Sequence, residues 1–507
     1  MSNFFVKQKI GKNIYIYEVT SHWDAKNKTT KQKRKYIGKL TDSGEIVTPK
    51  KSVYPVSASY FGATYLFEEL SKKIGLYDLL NKIFPDKAEI ILSLAIFFAI
   101  ERKDINDYLD YTKHTHTTFK CNLINFNDII SLFKDLTDAQ TQRSNFLKLW
   151  QEKQIQSDKS LYIDIKRYLD KSTYKKQFYK TDKDLLFTYR MGLVLNKDTS
   201  LPLSYCIYPN RLIDANDIKK FTSEYVTNQP KIFFLDSDFS NISDIVLLNY
   251  FNIKFMLPYS ENVNLESGLL KRALKYNSKI SDHNGINYFF ADKILYFYNT
   301  KLKFYLFFNE KEKLSEADNF IRILSELESL IKLKTFNDTN DVKMFMNAKL
   351  KNSSKYYEIS VVNKKAILKK KKWVISHKLN NITKVSLISN NTDLGEDEIL
   401  LIHKIKHNVE GFFNLTIMDT GKYSLFVKPR QIFEGELFIQ FISLILFSTF
   451  ETTLKTHELL KEYTIEQILN ELKNLKMISL SNNKNVLSEK NKLHKDLFKI
   501  FDLKDSE

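Results

Sequence analysis

Apolar and polar residues alternate from Asn13 to Val19 and again from Arg34 to Leu40, the period-two texture of half-buried strands. The run KNKTTKQKRK at Lys26–Lys35 links them, so residues 1–58 read as a small, basic, β-rich module. From Ser59 to Lys153 the apolar spacing changes to three and four. It predicts helices over Tyr60–Ile74, Leu76–Ile83 and Glu89–Glu101, with shorter ones at Ile105–Tyr111, Asp128–Leu136 and Asp138–Trp150. Residues 59–157 are therefore read as a helical region.

Strand texture returns at Ser160. Leu161-Tyr162-Ile163 leads into Asp164, and strands at Leu185–Leu195 and Leu201–Tyr208 follow, divided by the turn Asn196-Lys197-Asp198. Asp214 or Asn216 is placed to cap a helix running to about Tyr225. Ile232–Leu235 is an uninterrupted apolar run that stops at Asp236, the signature of a strand buried on both faces. A helix at Ile242–Tyr250 and a strand at Ile253–Leu257 complete the series. Three strands, a helix, a strand ending in Asp, a helix and a strand make the opening of an RNase H-like α/β core, here residues 158–259.

Residues 260–380 mix helix and strand textures and read as a β-rich, α+β insertion. Strands are predicted at Tyr288–Ala291, Ile294–Tyr298, Phe304–Phe308 and Tyr356–Val362, and a helix at Glu310–Ile331. Residues 381–480 resume the core: strand Val385–Ser389, a helix over Gly395–Phe413 carrying Glu410, the apolar helix Gln431–Leu454 and the amphipathic Thr464–Leu475. Residues 481–507 read as a polar, frayed tail.

Charge sharpens this picture. The chain of 507 residues carries 78 Lys and Arg against 60 Asp and Glu, a net +18 that favours polyanions, nucleic acid before an acidic membrane surface. Part of that excess follows from a Lys-, Asn- and Ile-rich, Arg-poor composition of the kind AT-rich coding produces. The lysines of the N-terminal hairpin suit a phosphate grip or a solvated turn equally. The helical region is a candidate DNA-binding domain, although no stretch marks a recognition helix and each helix fits a plain bundle. Lys369, Lys370, Lys371 and Lys372 run into Trp373, a basic–aromatic patch able to contact DNA, or an exposed loop of lysines. The two cysteines have neither disulfide nor zinc spacing. His403 and His407 share a helix face but have no third ligand nearby. No signal core opens the chain, and the apolar stretches Ile90–Ile100 and Leu437–Phe450 are shorter than the roughly 20 residues of a bilayer span, so a cytoplasmic protein is expected.

Asp164 and Asp236 end strands and Glu410 lies on a late helix, 72 and then 174 residues apart. In an RNase H-like fold those three places converge at the sheet's rim. Three close carboxylates stay ionised only with cations among them, which implies divalent metal. Two Mg²⁺ ions, or Mn²⁺, would then serve in-line phosphoryl displacement. Taken singly, Asp164 and Asp236 also suit strand-end or helix caps, and Glu410 a surface ion pair.

These motifs resemble the DDE transposases of bacterial insertion sequences, in the group with a tyrosine–arginine–glutamate–lysine signature. The likeness spans most of residues 1–480. YID at Tyr162–Asp164 is similar to the first acidic motif, and Leu201-Pro202-Leu203 with Tyr208-Pro209-Asn210 and Asp214 to the connection that follows. LDSDF at Leu235–Phe239 resembles the second motif, VEGFF at Val409–Phe413 the third, and GELFIQFISLIL from Gly435 the helix after it. The resemblance implies metal-dependent cleavage at transposon ends and strand transfer, with Asp164, Asp236 and Glu410 as catalytic metal ligands. It implies double-stranded DNA partners, the terminal inverted repeats and the target, bound by a homodimer that synapses two ends in the nucleoid. The family's tyrosine, arginine and lysine positions around the glutamate are held here by His403, Lys406 and Ile417. Lys406 keeps a charge but not the bidentate fork of arginine, and with His403 it is expected near DNA phosphate. A catalytically impaired DNA-binding relative is the alternative, and a nuclease that cuts without joining is a third reading.

Overall fold

The fold is known from a computed structural model. It describes residues 2–504 except 12, 25–28, 42–44, 48–53, 120–124, 155–159, 169–187, 209–217, 219–231, 260–267, 270–271, 273–274, 276–278, 282–285, 298–299, 351, 416–429 and 483. Expectations for Asp214, Asn216 and the helix after them, and for Ile417 and Cys121, lie outside the described residues.

The chain begins with β1 (Ser2–Ile10), β2 (Asn13–Asp24), β3 (Thr29–Leu40), β4 (Ile46–Val47) and β5 (Pro55–Tyr60). Helices α1 (Gly62–Lys73), α2 (Leu76–Ile83), α3 (Ala88–Glu101), α4 (Tyr108–His114), α5 (Phe126–Asp138) and α6 (Gln140–Gln154) follow. Next come β6 (Ser160–Tyr168), β7 (Thr188–Asn196), β8 (Pro202–Tyr208), β9 (Ile232–Phe234), α7 (Ile242–Tyr250) and β10 (Phe255–Pro258). The middle holds β11 (Lys279–Ser281), β12 (Asn287–Phe297), β13 (Thr300–Asn309), α8 (Glu310–Lys332), α9 (Thr339–Lys349), β14 (Tyr357–Val362), β15 (Lys365–Lys370) and α10 (Lys372–Asn381). The last part comprises β16 (Val385–Ser389), α11 (Glu396–Leu415), α12 (Arg430–Thr456), α13 (Ile465–Asn474), β17 (Lys476–Leu480), β18 (Asn485–Leu487) and α14 (Lys492–Ile500).

Two compact units divide these elements. One joins Met1–Ser59 to Lys476–Glu489, with a sheet β1-β2-β3-β4 and a second sheet β18-β17-β5. The other spans Tyr60–Leu475 and Lys490–Asp505, built on a mixed sheet of order β11-β12-β13-β16-β10-β9-β6-β7-β8. Its heart is an antiparallel meander β6-β7-β8, with β9 parallel to β6 and β10 parallel to β9.

Strand alternation explains why β9 reads as solidly apolar. Ile232 and Phe234 join Leu161 and Ile163 in the core shared with α3, α5 and α12, whereas Phe233 and Leu235 face the layer holding Ile245 and Leu248 of α7. Each such buried side chain contributes about 1.5–3 kcal/mol. Residues 59–157, set apart in sequence as a helical region, share this one continuous core with the sheet. Periodicity shows which face of a helix is apolar but not what will cover it.

Two expectations change. Within 260–380, β13 pairs with β16, so β12 and β13 extend the main sheet. The segment with a core of its own is α8–α10 with β14 and β15, packed around Leu324, Leu327, Ile331, Val342 and Met346. The tail also departs from expectation. α14 is capped by Asn491, whose side chain accepts from the His494 amide, while Leu497 and Phe498 are buried and His494 Nε2 lies 2.8 Å from the Glu471 carbonyl oxygen. Its apolar face is only nine residues long and was outweighed by the polar stretch before it.

α12 runs through the core against α5 and α3. It exceeds the apolar stretch read from the sequence: Ile432–Thr456 is long and apolar enough to cross a membrane, although 78% of its most apolar part is buried inside the protein. Gly435 lets α12 and α5 approach, because a Cβ there would collide with the carbonyl oxygen of Phe133. A Gly435→Ala variant is expected to lose roughly 1–3 kcal/mol by overpacking against backbone. Urea denaturation beside wild type checks this, and an unchanged midpoint refutes it.

Candidate active site

Asp164 and Asp236 are positioned by adjacent parallel strands. Ile163 of β6 lies opposite Phe234 of β9, the last pair of that ladder, so Asp164 and Asp236 both follow its carboxy-terminal end. Asp164 does not end its strand as expected, because β6 runs on to Tyr168, whereas Asp236 lies two residues beyond β9. The Asp164 backbone pairs with Gly192 of β7; its side chain lies outside the described residues. The glycine has a reason. A Cβ at 192 would stand 2.5 Å from the Tyr162 hydroxyl, since the buried Tyr162 ring lies across it and packs at 5.1 Å on Phe233.

Asp236 begins a short 3-10 turn at Ser237–Phe239 and accepts a hydrogen bond from Ser237 Oγ at 2.8 Å. It does not cap α7. That role belongs to Asn241, whose side chain accepts from the Asp244 amide. Asp236 is partly buried at the strand's end.

Glu410 arrives from α11, whose apolar stripe (Ile399, Ile402, Ile405, Val409, Phe412, Phe413) is buried. One turn back on that helix, Lys406 is 8% exposed. Its Nζ sits 4.5 Å from the centroid of the Phe234 ring and 3.6 Å from Glu410 Oε1. Burying an ammonium is costly unless the charge is compensated, and here the ring face and the carboxylate share that task. Lys406 thereby ties the Glu410 turn of α11 to β9 two residues before Asp236.

His403 lies a turn further back, its ring 5.2 Å from Phe307 of β13 in an edge-on contact and 6.4 Å from Phe234. Burial first, then the nearby His407, Lys406 and Lys404, pushes its pKa down to about 4. A neutral ring wedged between two phenylalanines suits packing better than the phosphate contact expected from sequence. The phenylalanine platform itself was invisible there, since Phe234 and Phe307 carry no polar signal.

The basic patch belongs elsewhere, to the α8–α10 segment. Lys369 pairs with Glu358 across the β14–β15 hairpin at 3.2 Å, and Lys370 with Glu328 of α8 at 3.0 Å, where Tyr357 also donates at 2.7 Å. Lys371 and Lys372 stand at the start of α10, beside a Trp373 that is 75% exposed. Half of the expected cationic patch is thus compensated by acids distant in sequence.

Among the described residues no group of three or more His, Cys, Asp or Glu is placed to hold a metal, and the Asp164 side chain is outside that set. The donor chemistry present, Asp236 and Glu410 carboxylates, is the hard-oxygen kind that suits Mg²⁺ or Mn²⁺.

Comparison with known proteins adds little. No family model and no curated protein matches the chain. Among solved structures it is similar to piggyBac transposase in a synaptic complex with hairpin DNA, at a TM-score of 0.31 and 9% identity, covering 81% of this chain and 75% of that one. A likeness that slight carries no argument.

His403 makes stability depend on pH. Its folded-state pKa, about 4, lies below the usual histidine value, so the unfolded chain binds a proton that the folded chain refuses. Stability is therefore full above the unfolded value and falls as pH drops from about 6.5 through 4, by up to about 3 kcal/mol. Urea midpoints at pH 7, 5.5 and 4.5 should fall less steeply in His403→Gln than in wild type; parallel falls refute the assignment.

Proposed function

We propose that the chain is a DNA transposase of an insertion sequence, a phosphoryl-transfer enzyme using Asp164, Asp236 and Glu410. The observation that carries this is the region built by β6, β9 and α11: β6 carries Asp164, the parallel β9 leads into Asp236, and the Glu410 helix is tied to β9 through Lys406. The order β8-β7-β6-β9-β10, antiparallel then parallel, supports an RNase H-like core, and the three acidic motifs of the sequence fall on its elements.

In this reading the three carboxylates would hold two Mg²⁺ ions, which would supply activation of a water or 3′-hydroxyl and stabilisation of the leaving oxygen. The chain's own residues orient and neutralise. Asp236, with Ser237 donating to it, is fixed at the rim; Lys406 holds the Glu410 turn and adds a positive charge beside Phe234. DNA ends and target are the substrates, a dimer synapses two ends, and the work is done on the bacterial nucleoid. The catalytically silent DNA-binding relative remains the rival, favoured by the His403, Lys406 and Ile417 departures from the resembled motifs.

Purified protein with labelled end-flanking DNA and Mg²⁺ or Mn²⁺ tests this. Cleavage at a defined end is expected, reduced in Asp236→Ala by more than about a hundredfold, the upper range for loss of a supporting partner. Lys406→Met should cost roughly 10–100-fold. DNA binding without cleavage by wild type would sink the enzyme reading and favour the silent relative.

A further inference from the structure

The N-terminal sheet has two unlike faces. Residues 1–50 hold eleven Lys or Arg against four Asp or Glu. Register sorts them. On β2, Tyr15 and Tyr17 share a face, and the bulge at Ile16/Tyr17 brings Tyr36 of β3 to the same side. The Tyr36 ring packs at 5.9 and 5.5 Å on those two, with the buried Val19 further along. This face carries the aromatic contacts, along with exposed Arg34 and Lys39, which oppose Val19 and Tyr15.

The opposite face is cationic. Lys7 and Lys9 of β1 oppose Ile16 and Ile14 of β2, while Lys33 and Lys35 of β3 oppose Thr20 and Glu18. Alternation puts all four lysines on one side, and all four are exposed. Glu18, opposite Lys35, is an acid on this same face. The two lysine rows flank β2, about 9.6 Å apart, and successive lysines within a row are about 6.7 Å apart. That step is close to twice the ~3.4 Å axial rise per phosphate of one DNA strand. Ile16, opposite Lys7 between the two rows, is buried.

We propose that this lysine face of β1–β3 is a second DNA-binding surface that grips the phosphate backbone of a duplex without reading sequence. The choice of DNA as the polyanion rests on the transposase reading; the existence of a phosphate-gripping face rests on charge and register alone. It differs from the acidic rim in chemistry: counterion release rather than metal ligation drives it.

The test uses full-length protein and duplex DNA, with affinity measured from 50 to 200 mM salt. Wild type is compared with Lys7→Gln/Lys9→Gln/Lys33→Gln/Lys35→Gln, and with Glu18→Gln as an arm that keeps every lysine. The quadruple variant should bind at least tenfold more weakly at low salt, its slope of log affinity against log salt shallower by about 3. Glu18→Gln should bind more tightly. Circular dichroism confirms folding, and the pair Lys33→Gln/Lys35→Gln replaces the quadruple if that one fails to fold. An unchanged slope in folded variants overturns the proposal even where Mg²⁺-dependent cleavage persists. Wild type that ignores DNA but binds phosphatidylserine vesicles through these lysines overturns it too. A lost slope in a protein that never cleaves supports the face and removes only the enzyme reading.

Discussion

Ile232 to Leu235 can leave water on both faces only if a layer covers each side, and that requirement organises the larger unit. One layer is α3, α5 and α12, the other includes α7. Because the strand is short, its pairing on both sides with β6 and β10 supplies the backbone partners that a buried peptide cannot do without. The chain then has to emerge from the sheet at Asp236, at the point where β6, which runs on to Tyr168, loses β9 as its neighbour. A polar rim is thus a by-product of a dry centre.

Electrostatics at that rim are arranged around an aromatic ring rather than around water. Phe234 belongs to the core, yet its face receives the Lys406 ammonium, and the same lysine reaches Glu410. Since Glu410 is about a third exposed, the ion pair by itself adds little stability. Orientation comes from the ring contact: α11 cannot rotate about its axis without pulling Lys406 off Phe234 and dragging its apolar stripe into solvent.

Local pattern made much of this legible. The solid apolar run before Asp236, the amphipathic stripe around Glu410 and the apolar length of α12 each announce themselves within a dozen or so residues. What stayed hidden is non-local. Nothing near Lys369 or Lys370 reveals Glu358 or Glu328 as partners, so a compensated pair of lysines read as an open cationic patch. β12 and β13 look like strands of an insertion until the pairing of β13 with β16 makes them part of the main sheet. His403 read as a polar residue near phosphate because the two phenylalanines that dehydrate it come from β9 and β13.

β16 is the strand through which distant parts of the sheet meet, lying between β10 and β13. Its pairings, Met256 with Ser389 and Phe304 with Ile388, close loops of many tens of residues, and loop closure must be met before such contacts stabilise anything. On a ribosome, therefore, the meander, β9 and β10 emerge long before their neighbour does. Until residue 389 has left the exit tunnel, one edge of β10 stays open to a wrong strand or a chaperone. The late strand sets the clock for the whole sheet.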